Sequence, residues 1–500
     1  MLPSNALHRF LCLAAALLLA GCASLSGPLD QPVSKAVDAE RPNILFILID
    51  DLGYGDLGVT GLDRVGTPNI DALAASGMLM TQFYMGVPIC SPSRAAFMTG
   101  RFPAEIGFVS FISSSGHNRV MDQADWLDPA LPNVARGLRD TGYRTGHFGK
   151  WHLGGGRDID TAPLPTEYGF DTSYTQFEGL GPRALFKEDH YGLATQSAAL
   201  GHGHIDWIDK SEATAKYIDE ALNFVDENSA RPWYVQLWLD DVHDPWEPTA
   251  EEIAAVGGEA RTVDEEKFLA TLRAVDLQVG RLVEELRVRG ELDETLILLT
   301  GDNGPVASEH YYRAGLAPGS TGGLRGRKGS LYEGGIREPL IVFWPGQIAP
   351  SSRDDTTIAS AVDFLPTLLA IAGGVPREST GVDLRPAWFG TPISDRPPLL
   401  FAYGYHGKPG SFPMPWLRSD RSPPLAIRSG NWKLLASAEG EPRELYDLRT
   451  DPVEANNVLS SNSETAQRLN ARLQAWRQGA LPAPYWRPEC RGAIFGLTRN

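Results

Sequence analysis

The chain has 500 residues, a formal net charge of −17 and 42% hydrophobic residues. A balance this acidic excludes nucleic-acid binding through an overall field. The length is sufficient for one large domain and a smaller one.

Residues 1–10 carry one Arg and no acid, Leu11 to Ala20 is a short apolar run, and Leu19-Ala20-Gly21-Cys22 closes it with small residues around a cysteine. Residues 1–21 therefore read as a signal peptide, too short for a spanning helix. The Leu-Ala-Gly-Cys ending resembles the bacterial lipobox, which implies lipidation of Cys22 and an exported, periplasmic lipoprotein tied to the membrane; ordinary cleavage at a small-residue site is the alternative. Ala23 and Ser24 follow without an acid, which favours the outer membrane. Removing residues 1–21 removes one Arg and no acid, so the balance becomes −18. Residues 22–40 are polar with two Pro and read as a tether.

From residue 41 the apolar runs at Asn43 to Ile49, Thr145 to Phe148, Trp233 to Leu239, Thr295 to Thr300 and Leu340 to Trp344 are short and unalternating, as in strands buried on both faces. Helix-length stretches at Pro68 to Ser76, Leu131 to Asp140, Glu212 to Glu227, Val263 to Arg289 and Ile358 to Ala372 fall between or after them. The alternation predicts an α/β domain over 41–395, a large and mainly parallel sheet sandwiched by helices. After Arg396-Pro397-Pro398 the segments Leu425 to Ser429, Trp432 to Ser437 and Glu444 to Leu448 predict a small antiparallel sheet, followed by a helix from about Ser463 to Arg477, within a C-terminal subdomain spanning 396–500.

Each buried strand ends in chemistry. Asp50-Asp51 follows the first, Gly149-Lys150-Trp151-His152 the second, Asp240-Asp241-Val242-His243 the third and Asp302-Asn303-Gly304 the fourth. Ligand sites in open α/β sheets lie beyond the carboxyl ends of the strands, so all four clusters are expected on one edge. Asp50, Asp51, Asp302 and Asn303 offer only oxygen ligands, which favours Ca²⁺ or Mg²⁺ over zinc. Gly53-Tyr54-Gly55-Asp56-Leu57-Gly58 matches a dinucleotide fingerprint, but Asp50, Asp51 and Asp56 would repel a pyrophosphate, and a lone match is weak. In Pro88-Ile89-Cys90-Ser91-Pro92-Ser93-Arg94, Ser91 is the expected cap and Pro92 the first helical residue. Cys90 would then sit directly before a helix start, where free N–H groups attract anions.

Cys90-Ser91-Pro92-Ser93-Arg94 with its continuation to Thr99-Gly100-Arg101, and the run from Gly146 to Gly154, resemble the two signature segments of the type I sulfatases of the alkaline-phosphatase-like superfamily. Asp50 to Asp56, Asp302-Asn303-Gly304, Gly326 to Pro339 and Glu444 to Leu448 with Asp451-Pro452 resemble the same family, over roughly Arg41 to Leu459. The resemblance implies that a formylglycine-generating enzyme oxidises Cys90 to formylglycine, whose hydrate binds the metal and attacks sulfur before releasing sulfate. It implies that Arg94 holds that hydrate, that Lys150 and Lys328 bind sulfate oxygens, that His152 takes a proton, and that His243 protonates the leaving oxygen or clamps sulfate. The setting of His243, with acids on both sides, departs from the family's commoner surroundings. A disulfide between Cys90 and Cys490 is the alternative use of those cysteines, and connectivity cannot be read from sequence.

The implied substrate is a sulfate ester, expected on a carbohydrate. Candidate leaving-group contacts are His310-Tyr311-Tyr312-Arg313, Phe186 to His190 and Tyr403 to His406. Rival readings are a formylglycine-dependent phosphonate monoester or phosphodiester hydrolase and a non-catalytic, lipid-anchored glycan-binding protein.

Overall fold

Strand β1 (Asn43–Ile49) explains the architecture. Its alternate side chains enter two cores: Ile44, Phe46 and Leu48 face one, Leu45, Ile47 and Ile49 the other. A strand buried on both faces needs no polar alternation. A computed structural model describes residues 41–480 except 63, 376–377 and 405–412. The signal peptide, Cys22, the tether, Tyr405-His406 and Cys490 lie outside the described residues.

Ten further strands complete the large sheet: β2 (Met78–Tyr84), β3 (Arg144–Lys150), β4 (Thr172–Gln176), β5 (Arg183–Phe186), β6 (Ile205–Ile208), β7 (Trp233–Trp238), β8 (Thr295–Gly301), β9 (Arg337–Phe343), β10 (Ser352–Asp354) and β11 (Ala359–Ser360). Their order is β10-β2-β9-β8-β1-β7-β3-β4-β5-β6, with β11 also paired to β2. All described pairings are parallel except those of β9, which runs against both β2 and β8. Helices of seven residues or more cover both faces. They are α1 (Pro68–Ala75), α2 (Cys90–Thr99), α3 (Val134–Asp140), α4 (Leu193–Ala199), α5 (Ala213–Asn228), α6 (Ala250–Val256), α7 (Val263–Val288) and α8 (Phe364–Ile371). Residues of α2, α3 and α8 pack into one core, and residues of α1, α5 and α7 into the other.

A second sheet, β12 (Leu399–Ala402), β13 (Leu425–Ser429), β14 (Trp432–Ala436) and β15 (Pro442–Asp447), is antiparallel throughout. It packs Leu425, Ile427, Leu434 and Leu445 against Leu469 and Leu473 of α9 (Ser463–Ala480).

Several expected bounds shift: the helix expected from Leu131 begins at Val134 and the strand expected from Leu340 at Arg337, and two further shifts have a visible cause. The helix expected from Ile358 begins at Phe364, because the Asp363 carboxylate accepts the Ser360 backbone N–H and closes a capping turn there. The first helical residue of α2 is Cys90, not Pro92: Ile89 is the cap, and the Ser91 hydroxyl instead accepts the Ile112 N–H at 3.0 Å. Pro92 fits two residues inside because the first turn's N–H groups have no intrahelical partner anyway.

The second sheet is tied to the first by a buried ionic cluster. Lys433 of β14 reaches Glu333 at 3.0 Å and Glu454 at 2.9 Å, while Tyr84 of β2 donates to Glu333 at 2.7 Å. Burial would raise the Glu333 carboxyl, yet Lys433, Arg428 and Arg337 hold it down at about 2. Burial pushes Glu454 up from 4.5 to about 7, helped by the charge of Glu333 and only partly offset by Lys433. A raised carboxyl contributes stability that is complete below its unfolded pKa and lost as pH rises through the folded one. Stability should therefore decline between pH 4.5 and about 7, and Glu454→Gln should flatten that decline. Lys433→Met strands two buried carboxylates and should cost about 3–5 kcal/mol; urea titrations read both effects.

Candidate active site

Four parallel strands deliver their carboxyl ends to one place. Asp50 and Asp51 follow β1, Lys150 ends β3, Asp240 to His243 follow β7, and Asp302 and Asn303 follow β8. The ends are stitched together: Asp50 N–H donates to the Asp241 carbonyl at 3.0 Å, and Val242 N–H returns a bond to the Asp50 carbonyl at 2.9 Å. The backbone turns sharply there. Asp51, His152, Phe177 and Glu178 all have positive φ, between 49° and 57°, a conformation that non-glycine residues seldom adopt and that clusters at functional sites.

Cys90, on the first turn of α2, places Sγ 3.4 Å from Asp50 Oδ1. Burial, reinforced by the Asp50 charge, pushes the thiol pKa well up despite Lys150 and Lys328. The unmodified side chain is thus a neutral thiol, and the helix start does not make it a thiolate. Arg94 lies one turn on. Its Nε and Nη2 donate to Asp302 Oδ2 at 3.1 and 2.9 Å, its Nη1 donates to the Lys150 carbonyl at 3.0 Å, and Nη2 is 3.4 Å from Asp50. Lys150 also pairs with Asp50. Lys328 donates to both Asp51 oxygens at 2.6 and 2.8 Å.

The two histidines differ. His152 is buried, its Nε2 bonded to the Ile112 carbonyl at 3.1 Å and its Nδ1 without a partner. Donation from Nε2 leaves the Nδ1 lone pair free. Burial first, then Lys150 and Arg94, push its pKa well down, so the ring is neutral. His243 is partly exposed, its Nδ1 2.6 Å from the Asp244 carbonyl and its Nε2 3.8 Å from Asp51.

Asp50, Asp51, Cys90 and His243 each present one ligand atom within 4.8 Å of the others. Beside them, the Asn303 amide donates to Asp51 at 2.7 Å, while its buried Oδ1 has no partner. Carboxylates with an orphaned amide oxygen fit a hard divalent cation. Asp302 adjoins this group through Asp51, one oxygen held by Arg94 and the other accepting the Asp51 N–H at 3.2 Å. His243 entered the sequence reading as a proton donor or sulfate clamp, not a ligand; the structure adds it to the metal-sized cluster.

A cavity of about 200 Å³ opens beside Lys150 and His243, lined also by Phe177, Phe186, His190 and Tyr191. Phe186 to His190 therefore adjoin the site, with Lys187 outside the lining. His310 and Tyr311 line a neighbouring cavity of about 490 Å³, and Arg313 lies over the Trp416 ring. Tyr403 is buried and donates to the Pro413 carbonyl at 2.7 Å. The sequence reading missed Gln176, Phe177 and Glu178 because β4 was not recognised; a strand over Thr172 to Gln176 would have put them on the same edge. It also missed Lys210, which donates to the His243 carbonyl at 2.6 Å. The glycine fingerprint at Gly53 to Gly58 has no space for a pyrophosphate. A Cβ on Gly53 would lie 2.3 Å from the Ser320 carbonyl, and Asp56 is bonded to Gly53 and Ser320 N–H groups.

A family model described as Sulfatase matches residues 42–375, and one described as N-sulphoglucosamine sulphohydrolase, C-terminal, matches 327–479. The chain belongs to the sulfatase family. Bos taurus arylsulfatase A is 34% identical, over 88% of this chain and 87% of the relative. N-acetylgalactosamine-6-O-sulfatase of Bacteroides thetaiotaomicron is 27% identical, over 92% of this chain and 98% of the relative. The crystal structure of Ps i-CgsB in complex with k-i-k-neocarrahexaose superposes with a TM-score of 0.72 at 27% identity, covering 89% of this chain and 95% of that one. This sulfatase is a sulfuric ester hydrolase with the alkaline-phosphatase-like fold, and membership implies a formylglycine made from cysteine and a divalent metal.

The guanidinium fork of Arg94 is specific. A lysine cannot reach Asp302 and the Lys150 carbonyl together, so Arg94→Lys should destabilise the metal-free sulfatase by about 1.5–3 kcal/mol and depress turnover. Denaturation in chelator checks the first and hydrolysis of 4-nitrophenyl sulfate the second.

Proposed function

We propose that this sulfatase removes sulfate from a sulfated carbohydrate, with Cys90 matured to formylglycine by a formylglycine-generating enzyme. The observation carrying the reading is the position of Cys90: on the first turn of α2, against Asp50, within the group of Asp51 and His243. The carbohydrate part rests on the relatives, one named for N-acetylgalactosamine 6-O-sulfate and one crystallised with neocarrahexaose.

In the proposed division of labour Asp50, Asp51, Asp302 and Asn303 hold a divalent cation together with residue 90. Calcium is favoured over magnesium because a carboxylate-rich, irregular donor set suits its flexible coordination. When present, formylglycine at residue 90 would supply the nucleophile and a cation held there would polarise the sulfate oxygens. Lys150 and Lys328 bind the remaining sulfate charge. Arg94 keeps Asp302 and the β3 end in register and faces residue 90 from the next helical turn. His152 accepts a proton at Nδ1, its tautomer set by the Ile112 carbonyl. His243 donates from Nδ1 to the Asp244 carbonyl, which leaves Nε2 as the lone-pair side; once protonated there it clamps the sulfate or passes that proton to the leaving oxygen.

Mass measurement of the peptide carrying residue 90 should show an aldehyde in place of the thiol. Chelation should abolish hydrolysis of 4-nitrophenyl sulfate, calcium should restore it better than magnesium, and Cys90→Ala should reduce it by orders of magnitude. Full turnover with an unmodified thiol would sink the assignment.

We also propose export and attachment to the outer membrane through lipid on Cys22, supported by the lipobox-like ending of the N-terminal segment. Several acyl chains give stable anchoring where one does not. Cys22→Ser should leave the detergent phase on extraction; a processed form that stays there refutes the anchor.

A further inference from the structure

Two cavities meet at one exposed aromatic residue. The first, of about 200 Å³, includes Lys150 and His243 of the reaction site. The second, of about 490 Å³, lies against Trp246, Lys267, His310 and Tyr311 and falls within the size range of small-ligand sites. Their linings share His190, Tyr191, Asp244 and Pro245. Tyr191 is 67% exposed, one of the most exposed large apolar side chains described.

The loop carrying Tyr191 is nevertheless pinned. Asp189 accepts the Ala194 and Thr195 N–H groups at 3.1 and 2.8 Å and so caps α4. Lys187 N–H donates to the Ile208 carbonyl at 3.0 Å, and His190 pairs with Glu247 across the cleft. The opposite wall is equally fixed: the Trp246 indole donates to the Val242 carbonyl at 2.7 Å, packs on Tyr311 at 4.9 Å, and Tyr311 donates to Asp244 at 2.8 Å. An exposed ring on a rigid loop loses little freedom when covered, and tyrosine offers an apolar face with a polar tip. That combination suits a pyranose, whose C–H face stacks while its hydroxyls bond to polar groups around the rim.

We infer that the second cavity is a saccharide subsite distinct from the one beside the sulfate, and that Tyr191 is the ridge on which the sugar chain crosses between them. The inference rests on the carbohydrate reading proposed above and deepens it: the substrate is an oligosaccharide, with the desulfated unit in the first cavity and its glycosidic neighbour in the second. Tyr191 and His310 act as specificity residues, not as participants in the chemistry at sulfur.

The test compares matched mono- and tetrasaccharides from chondroitin 6-sulfate and from carrageenan, with 4-nitrophenyl sulfate as a probe of the sulfate pocket alone. The natural enzyme should favour the tetrasaccharide in kcat/KM in at least one pair. Tyr191→Ala should reduce that length preference roughly tenfold, about 1.4 kcal/mol, through KM more than kcat, and His310→Ala should reduce it from the opposite wall. Because Tyr191 is exposed, its replacement is not expected to unfold the chain. Hydrolysis of 4-nitrophenyl sulfate with no length preference in either pair, or a preference untouched by both variants, overturns the second subsite. No hydrolysis of any of these esters, aryl sulfate included, would instead overturn the proposed function.

Discussion

The structure depends on how charge is buried at the carboxyl edge of the large sheet. Asp50, fully buried, is met by Arg94, Lys150 and the Cys90 thiol. Burial would raise its pKa, but Lys150 and Arg94 outweigh that and hold it well down. Removing one partner from such a group leaves an uncompensated charge in a low dielectric, which is far costlier than losing an exposed ion pair. Three elements supply the participants, Asp50 from the end of β1, Cys90 and Arg94 from α2 and Lys150 from the end of β3, and Arg94 also reaches Asp302 in the turn after β8. The electrostatic requirement thus fixes the relative register of distant parts of the chain, and the two apolar cores behind the sheet hold them there.

The same edge resolves an apparent conflict between an acidic protein and an anionic ester. A net charge of −17 opposes approach at long range, but beyond about 8 Å physiological salt screens exposed charges. Within that distance Arg94, Lys150 and Lys328 concentrate positive charge around residue 90. The acids they contact are those suited to a divalent cation, so the cluster carries both signs at close quarters and its selectivity is local.

Much of this was legible in the sequence where burial and periodicity agree. Asn43 to Ile49 reads as a strand because seven apolar or amide side chains leave no polar face, and β1 has those bounds. β2 was not legible: Met78 to Tyr84 mixes Met, Thr and Gln without a clear period, and only pairing with β9 and β10 makes it a strand. β4, β5 and β6 are shorter still, and tertiary pairing overrides their weak local preference. The start of α2 was misplaced because Ser-Pro is a strong local cap signal, while the bond from Ile112 to Ser91 is long-range. Motif spacing located Cys90, Arg94, Lys150 and His152, but spacing cannot report that His243 comes within 4.8 Å of the acids, since that follows from the union of the β1 and β7 ends.

The reversed direction of β9 bears on how this scaffold can diversify. A parallel neighbour would require the chain to cross beneath the sheet after β8, whereas an antiparallel strand lets it leave and re-enter at the same edge. Residues 302–336 are therefore one excursion, anchored at Asp302-Asn303 and at Glu333, with Lys328 held near its far end by Asp51. Its His310 and Tyr311 line a cavity. Closing a flexible loop grows only slowly in cost, by about 0.6 kcal/mol per doubling of length. Insertions between Asn303 and Lys328 can accordingly reshape what the enzyme accepts while strand registry and the nucleophile stay where they are, a division between an inherited reaction centre and an evolvable rim.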